Sequence, residues 1–166
     1  MESLKELYRI GTGPSSSHTM GPERAASRFK ERNLRADGFI ATLYGSLAKT
    51  GPGHLTDAIL EKTFAPRPVE IRFDFSDRPL PHPNTMELTA LQDGKTVDFE
   101  RVISVGGGKI VVDGDTPDTP ADVYPLSTFA EIKAYCAEHR MRLWQYVEQC
   151  EGDSIWLYLG EVWKCM

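Results

Sequence analysis

The run Met86-Glu87-Leu88-Thr89-Ala90-Leu91-Gln92-Asp93-Gly94-Lys95-Thr96-Val97-Asp98-Phe99-Glu100-Arg101-Val102-Ile103-Ser104-Val105-Gly106-Gly107-Gly108-Lys109-Ile110-Val111-Val112 holds three apolar-rich segments separated by two glycine breaks. Met86 to Leu91, Thr96 to Val105 and Lys109 to Val112 read as strands joined at Asp93-Gly94 and at Gly106-Gly107-Gly108. Connections this short place successive strands side by side, so antiparallel pairing costs the least chain entropy. Three glycines between two apolar strands are most simply a tight turn or bulge, which is preferred here to a phosphate cradle made by Gly106-Gly107-Gly108-Lys109.

Upstream of this run, Val69 to Phe75 alternates apolar and charged residues, the pattern of a strand with one buried face, and Phe39 to Tyr44 reads as a further short strand. The stretch from Arg78 to Thr85 carries Pro79, Pro81 and Pro83 and cannot be a ladder strand. Helices are expected from about Pro22 to Arg32 and around Thr56 to Leu60, with Gly45, Gly51 and Gly53 breaking the chain before the second. Downstream, Thr128 with Glu131 forms a capping box at the start of one helix, a second runs from about Leu143 to Cys150 and ends at Gly152, and a last helix begins at Asp153 or Ser154. The sum is an α+β fold, a mixed or mostly antiparallel sheet with helices packed on it. A length of 166 residues suggests one core.

Composition narrows the function. With 24 Asp plus Glu against 19 Lys plus Arg, the net charge of −5 leaves no cationic surface to neutralise a phosphate backbone, so nucleic acid is excluded as a partner. No apolar run reaches the roughly 20 residues that span a bilayer, and Met1-Glu2-Ser3-Leu4-Lys5-Glu6-Leu7 lacks the apolar core of a secretory signal; no membrane role and a cytoplasmic location are expected. Cys136, Cys150 and Cys165 are odd in number and widely spaced, so neither a disulfide framework nor a metal cage is indicated. Asp113-Gly114-Asp115-Thr116-Pro117-Asp118 lacks a closing Glu and reads as a solvated acidic turn, not a calcium loop.

The segment with most chemistry is Gly13-Pro14-Ser15-Ser16-Ser17-His18-Thr19. Gly11 to Ser17 reads as loop, and four hydroxyls there precede a helix. Two readings stand: ordinary capping by one serine, or an anion cradle in which hydroxyls and backbone N–H groups hold a carboxylate or phosphate beside the helix dipole. His18, His54 and His82 all lie in loops of small rigid residues, which fix backbone direction while neighbouring hydroxyls or amides fix an imidazole tautomer. No pair spacing supports a three-His zinc site, no nucleophile elbow surrounds Ser17, and His139 belongs to a helix C-terminus.

Ile10-Gly11-Thr12-Gly13-Pro14-Ser15-Ser16-Ser17-His18-Thr19-Met20-Gly21-Pro22 with Arg24-Ala25-Ala26 resembles the start of the bacterial iron–sulfur L-serine dehydratases. Leu43-Tyr44-Gly45-Ser46-Leu47-Ala48-Lys49-Thr50-Gly51 through Gly53-His54, Thr56 and Asp57 resembles their second motif, His82-Pro83-Asn84-Thr85-Met86 their third, and Gly106-Gly107-Gly108 a further element. The resemblance implies their beta domain, which is also similar to the allosteric substrate-binding domain of some phosphoglycerate dehydrogenases. By it, residues 1–152 are the beta domain and residues 153–166 the start of a helical connection to a missing alpha domain that ligates a [4Fe–4S] cluster; the chain is then a beta subunit or a truncated form. The implied reaction converts L-serine to pyruvate and ammonia, a lyase step of amino-acid degradation feeding gluconeogenesis, with no activity in this chain alone. His18 is assigned proton transfer, Ser16, Ser17 and Thr19 the serine carboxylate or amine, and His54, His82, Asn84 and Thr85 the pocket wall. The implied partners are L-serine, the iron–sulfur domain or subunit and a second copy in a homodimer; the alternative is a non-catalytic, serine-sensing regulatory domain.

Overall fold

A computed structural model describes residues 1–114 and 121–166; most of the acidic run beginning at Asp113 lies outside the described residues. In chain order the elements are α1 (Leu4–Leu7), α2 (Gly21–Arg32), β1 (Gly38–Tyr44), α3 (Gly45–Thr50), α4 (Thr56–Phe64), β2 (Val69–Asp74), β3 (Thr85–Gln92), β4 (Lys95–Gly106), β5 (Lys109–Val112), α5 (Phe129–Glu138), α6 (Leu143–Glu151) and α7 (Ser154–Cys165). One compact unit contains residues 11–114, and residues 1–10 with 121–166 belong to another. No helix among the described residues is long and apolar enough to cross a membrane.

In the larger unit, five strands form one sheet in the order β2-β1-β3-β4-β5. The strands from β3 to β5 pair antiparallel, as the short glycine connections require. β1 also runs antiparallel to β3, but parallel to β2, with Phe39 opposite Val69 and Leu43 opposite Phe73. A parallel pair needs a long crossover, and the stretch containing α3 and α4 supplies it. The fold is therefore α+β with a mixed sheet.

Strand alternation then decides which residues are buried. Phe39, Ala41 and Leu43 of β1, Met86, Leu88 and Ala90 of β3, and Val102 of β4 share one core with Phe29 of α2 and Leu60 and Phe64 of α4. Phe39 stacks on Phe64 at 4.3 Å and meets Phe29 edge-on at 6.1 Å. Val69, Ile71 and Phe73 pack against the same cluster, while Glu70 and Arg72 between them are exposed and paired to each other at 2.8 Å. Polar side chains are buried on this side too: Ser104, and Glu100, a carboxylate held at 3.0 Å by Arg28 and at 2.5 Å by Arg32.

Two stretches differ from the sequence reading. Gly45 to Thr50 is a helix, not a broken segment. Gly45 supplies a positive φ of 53° at the turn, after which no glycine or proline interrupts until Gly51, and burial of Leu47 and Ala48 fixes the helix. Ser16 and Ser17 are not loop: Ser16 to Met20 wind into one π-helical turn capped by the Ser15 side chain, which accepts from the His18 N–H.

The second unit has its own apolar cluster of Tyr124, Ile132 and Tyr146, so the single core expected from length is divided. Thr128 and Glu131 form the capping box at the start of α5. Gly152, at φ 74°, closes α6. α7 sets Ile155 fully buried and Trp156 against Trp144 at 6.3 Å, and its Tyr158 hydroxyl donates to the Tyr8 and Lys5 carbonyls.

Candidate active site

Three loops of the larger unit meet where β1 ends and α2 begins. The first is the serine turn. Ser15 accepts the His18 N–H at 3.2 Å, and its own N–H bonds the Thr19 hydroxyl at 3.3 Å, so the turn carries its own cap. Thr19 is buried and donates to the His54 carbonyl at 3.1 Å; Thr56, also buried, donates to the His18 carbonyl at 2.7 Å. These reciprocal side-chain bonds join the first loop to the second and leave each imidazole half-buried. The His18 and His54 ring centroids are 4.8 Å apart.

The two imidazoles sit in different hydrogen-bond settings. His18 has hydroxyls at both ring nitrogens: Ser17 Oγ at 2.9 Å from Nδ1, and Ser46 Oγ at 3.0 Å from Nε2. His54 Nδ1 lies 3.0 Å from the Thr50 carbonyl, which can only accept, so in the neutral ring Nδ1 carries the proton and Nε2 the lone pair. Burial, and second the neighbouring His54, hold the His18 pKa below its usual value of 6.5. His18 is thus neutral at physiological pH and able to take a proton.

The third loop approaches through backbone. Ser46 donates its N–H to the Pro83 carbonyl at 2.7 Å, and a side chain at Gly45 would come within 2.5 Å of that oxygen, so glycine is needed there for space as well as for φ. His82 Nδ1 accepts the Asn84 N–H at 3.0 Å, which places the neutral ring's proton on Nε2. Thr85 donates to the His82 carbonyl at 2.6 Å, and the Asn84 amide donates to the Ser104 carbonyl at 3.2 Å.

Of the residues singled out in the sequence, His18, His54, Ser16 and Ser17 gather at one place. Ser16 is exposed, and its hydroxyl accepts the Gly107 N–H at 3.2 Å, so the triglycine turn borders the serine loop. All three of those glycines have positive φ, as a tight β4–β5 turn requires. The Thr19 and Thr85 hydroxyls are buried and bonded to backbone, where they hold the loops together. His82 has no hydrogen bond or ring contact with the His18–His54 pair among the described residues. Sequence reasoning passes over Ser46. It lies inside the Tyr44-Gly45-Ser46 motif, but a serine beside a glycine carries no signal that its hydroxyl will meet a histidine 28 residues earlier.

The donor set does not fit a metal cluster. Among the described residues no group of three His, Cys, Asp or Glu side chains is placed to hold a metal ion. Cys136 and Cys150 pack against the Tyr124–Tyr146 cluster of the second unit, and Cys165 is exposed.

Residues 3–68 match the family model described as serine dehydratase beta chain. The whole chain aligns with L-serine dehydratase 2 of Escherichia coli K12 at 29% identity and with L-serine dehydratase of Haemophilus influenzae at 27%, covering 48% of each of those proteins. The L-serine dehydratase of Mycobacterium tuberculosis is 34% identical over 81% of this chain and 39% of its own length. The chain spans about half the length of the curated relatives that it matches in full.

Proposed function

We propose that this chain, whose residues 3–68 match the serine dehydratase beta-chain family model, is the substrate-handling part of an L-serine dehydratase, binding L-serine and moving its Cα proton. The observation that carries this reading is the His18–His54 pair at 4.8 Å, bordered by the hydroxyls of Ser15, Ser17 and Ser46. Serine presents a carboxylate, an ammonium and a hydroxyl, each of which hydroxyl side chains can bond without a fixed counter-charge.

Dehydration of serine breaks the Cα–H and Cβ–O bonds. The proton goes to a base, the electron pair forms the Cα–Cβ double bond, and hydroxide leaves as water once protonated. The resulting aminoacrylate tautomerises to an imine that water hydrolyses to pyruvate and ammonia. A neutral imidazole is suited to the first event because its basicity lies near ambient pH. The two rings divide the proton transfer between them. Nε2 of His54 offers the open lone pair, and His18, neutral and in ring contact with it, handles the proton through Ser17. Ser16 and Ser17 are proposed to hold the carboxylate or amine, with Thr19, Asn84 and Thr85 fixing the loops and His82 on the wall. The [4Fe–4S] cluster implied by the resemblance would supply a Lewis acid for the departing hydroxyl; the residues here do not fit it, so its ligands are proposed to lie outside this chain, on an alpha domain or subunit.

The test is to combine this chain with an iron–sulfur partner and assay pyruvate. His18→Ala in the complete enzyme is expected to lower turnover by at least about 10²-fold, the low end for loss of general acid–base catalysis. Near-normal turnover would remove His18 from the role. Serine binding without turnover in a cluster-loaded pair would favour the regulatory reading.

A further inference from the structure

We infer that Ser46 is a positioning residue that fixes the tautomer and orientation of the His18 ring by accepting a hydrogen bond from Nε2–H. The inference rests on the reading of His18 as a proton-handling group, and deepens it.

A neutral imidazole has one N–H and one lone pair, so its neighbours decide which nitrogen holds the proton. On the Nδ1 side of His18 stand two hydroxyls, Ser17 at 2.9 Å and Ser15 at 3.4 Å. The Ser15 oxygen already accepts the His18 backbone N–H at 3.2 Å, which leaves its own O–H in need of an acceptor. With the ring proton on Nδ1, the O–H groups of both Ser15 and Ser17 would lose the imidazole lone pair they face, whereas with the proton on Nε2 only the Ser46 O–H does. Nδ1 is therefore the acceptor, and the proton sits on Nε2, 3.0 Å from Ser46 Oγ. The Ser46 O–H then remains as a donor.

Ser46 is built to stay where it is. Its N–H is bound to the Pro83 carbonyl at 2.7 Å, the preceding Gly45 occupies a turn with no room for a side chain, and the following Leu47 and Ala48 are 0% and 1% exposed. A partner on rigid backbone holds a ring better than one on a mobile loop. When His18 takes a proton on Nδ1, both N–H groups find acceptors already in place, and the ring need not turn. Among the described residues, the titratable group in ring contact with His18 is His54, whose ring centroid is 4.8 Å away.

Long-range ¹H–¹⁵N spectra of the histidine-labelled chain, recorded where the imidazoles are neutral, read the tautomer directly and require no turnover. The expected result is the Nε2–H pattern for His18, with its ring shifts displaced in Ser46→Ala and restored in Ser46→Thr. In the complete enzyme Ser46→Ala should lower kcat about 10-fold, as loss of an orienting partner typically does, with KM changed by less than about 2-fold and Ser46→Thr recovering the rate. An Nδ1–H pattern in the unmodified chain, or ring shifts that ignore Ser46→Ala in a folded variant, overturns the inference. Shifts that respond to Ser46 in a pair that makes no pyruvate support the positioning role and overturn the catalytic function instead.

Discussion

Replacing Gly45 by alanine tests how the three loops are joined. Gly45 has φ 53°, and a Cβ built on it lies 2.5 Å from the Pro83 carbonyl oxygen, a distance that real Cβ atoms essentially never show. The left-handed conformation alone costs an alanine about 1–2 kcal/mol. The Pro83 carbonyl must also retreat, and it is the acceptor for Ser46 N–H at 2.7 Å, so about 1 kcal/mol of hydrogen bonding is put at risk. The expected loss is about 3 kcal/mol. Gly107→Ala is the matched control, because its φ is 57° and nothing lies within 4 Å of the added atom; only the backbone cost of about 1–2 kcal/mol applies. Urea unfolding should be followed by far-ultraviolet circular dichroism, since Trp144, Trp156 and Trp163 all lie in the second unit and fluorescence would report there. Equal losses for the two variants would refute the claim that contact with Pro83, beyond the backbone angle, makes Gly45 necessary.

Acid should weaken the larger unit through His18. Its folded pKa is below 6.5, so between that folded value and 6.5 the unfolded chain binds more protons, and stability falls as pH drops through this window while staying level above about 7.5. His18→Gln should flatten that part of the pH dependence, and identical slopes in the two proteins would contradict the assignment. Phe39→Ala, which removes a ring that is 2% exposed and stacked on Phe64 at 4.3 Å, should cost about 3–5 kcal/mol in urea unfolding. Leu157→Ala, at a residue of α7 that is 77% exposed, should stay within about 0.5 kcal/mol, and a large loss there would mean that Leu157 is covered in solution.

Much of this protein is local in origin, and the sequence alone determined it. Alternation along Val69 to Asp74, the glycine breaks on either side of β4 and the Thr128–Glu131 box each act within a few residues, so strand, turn and helix start can be read without a partner. The serine turn is likewise visible as a candidate site, because hydroxyls, a glycine and a proline crowd into seven residues there. The helix from Gly45 to Thr50 escapes, since three nearby glycines argue against helix and only burial of Leu47 and Ala48 outweighs them. The parallel pairing of β1 with β2 is a product of the crossover, with no signature in either strand. The arrangement of the candidate site belongs to tertiary structure. His18, Ser46, His54 and Gly107 are brought together from four separate segments, and which nitrogen of His18 keeps its proton depends on hydroxyls that only the folded chain places within hydrogen-bonding reach. Sequence chooses the functional groups, but a tautomer is settled by distances of about 3 Å between oxygen and nitrogen, and those distances exist only once the loops have closed on one another.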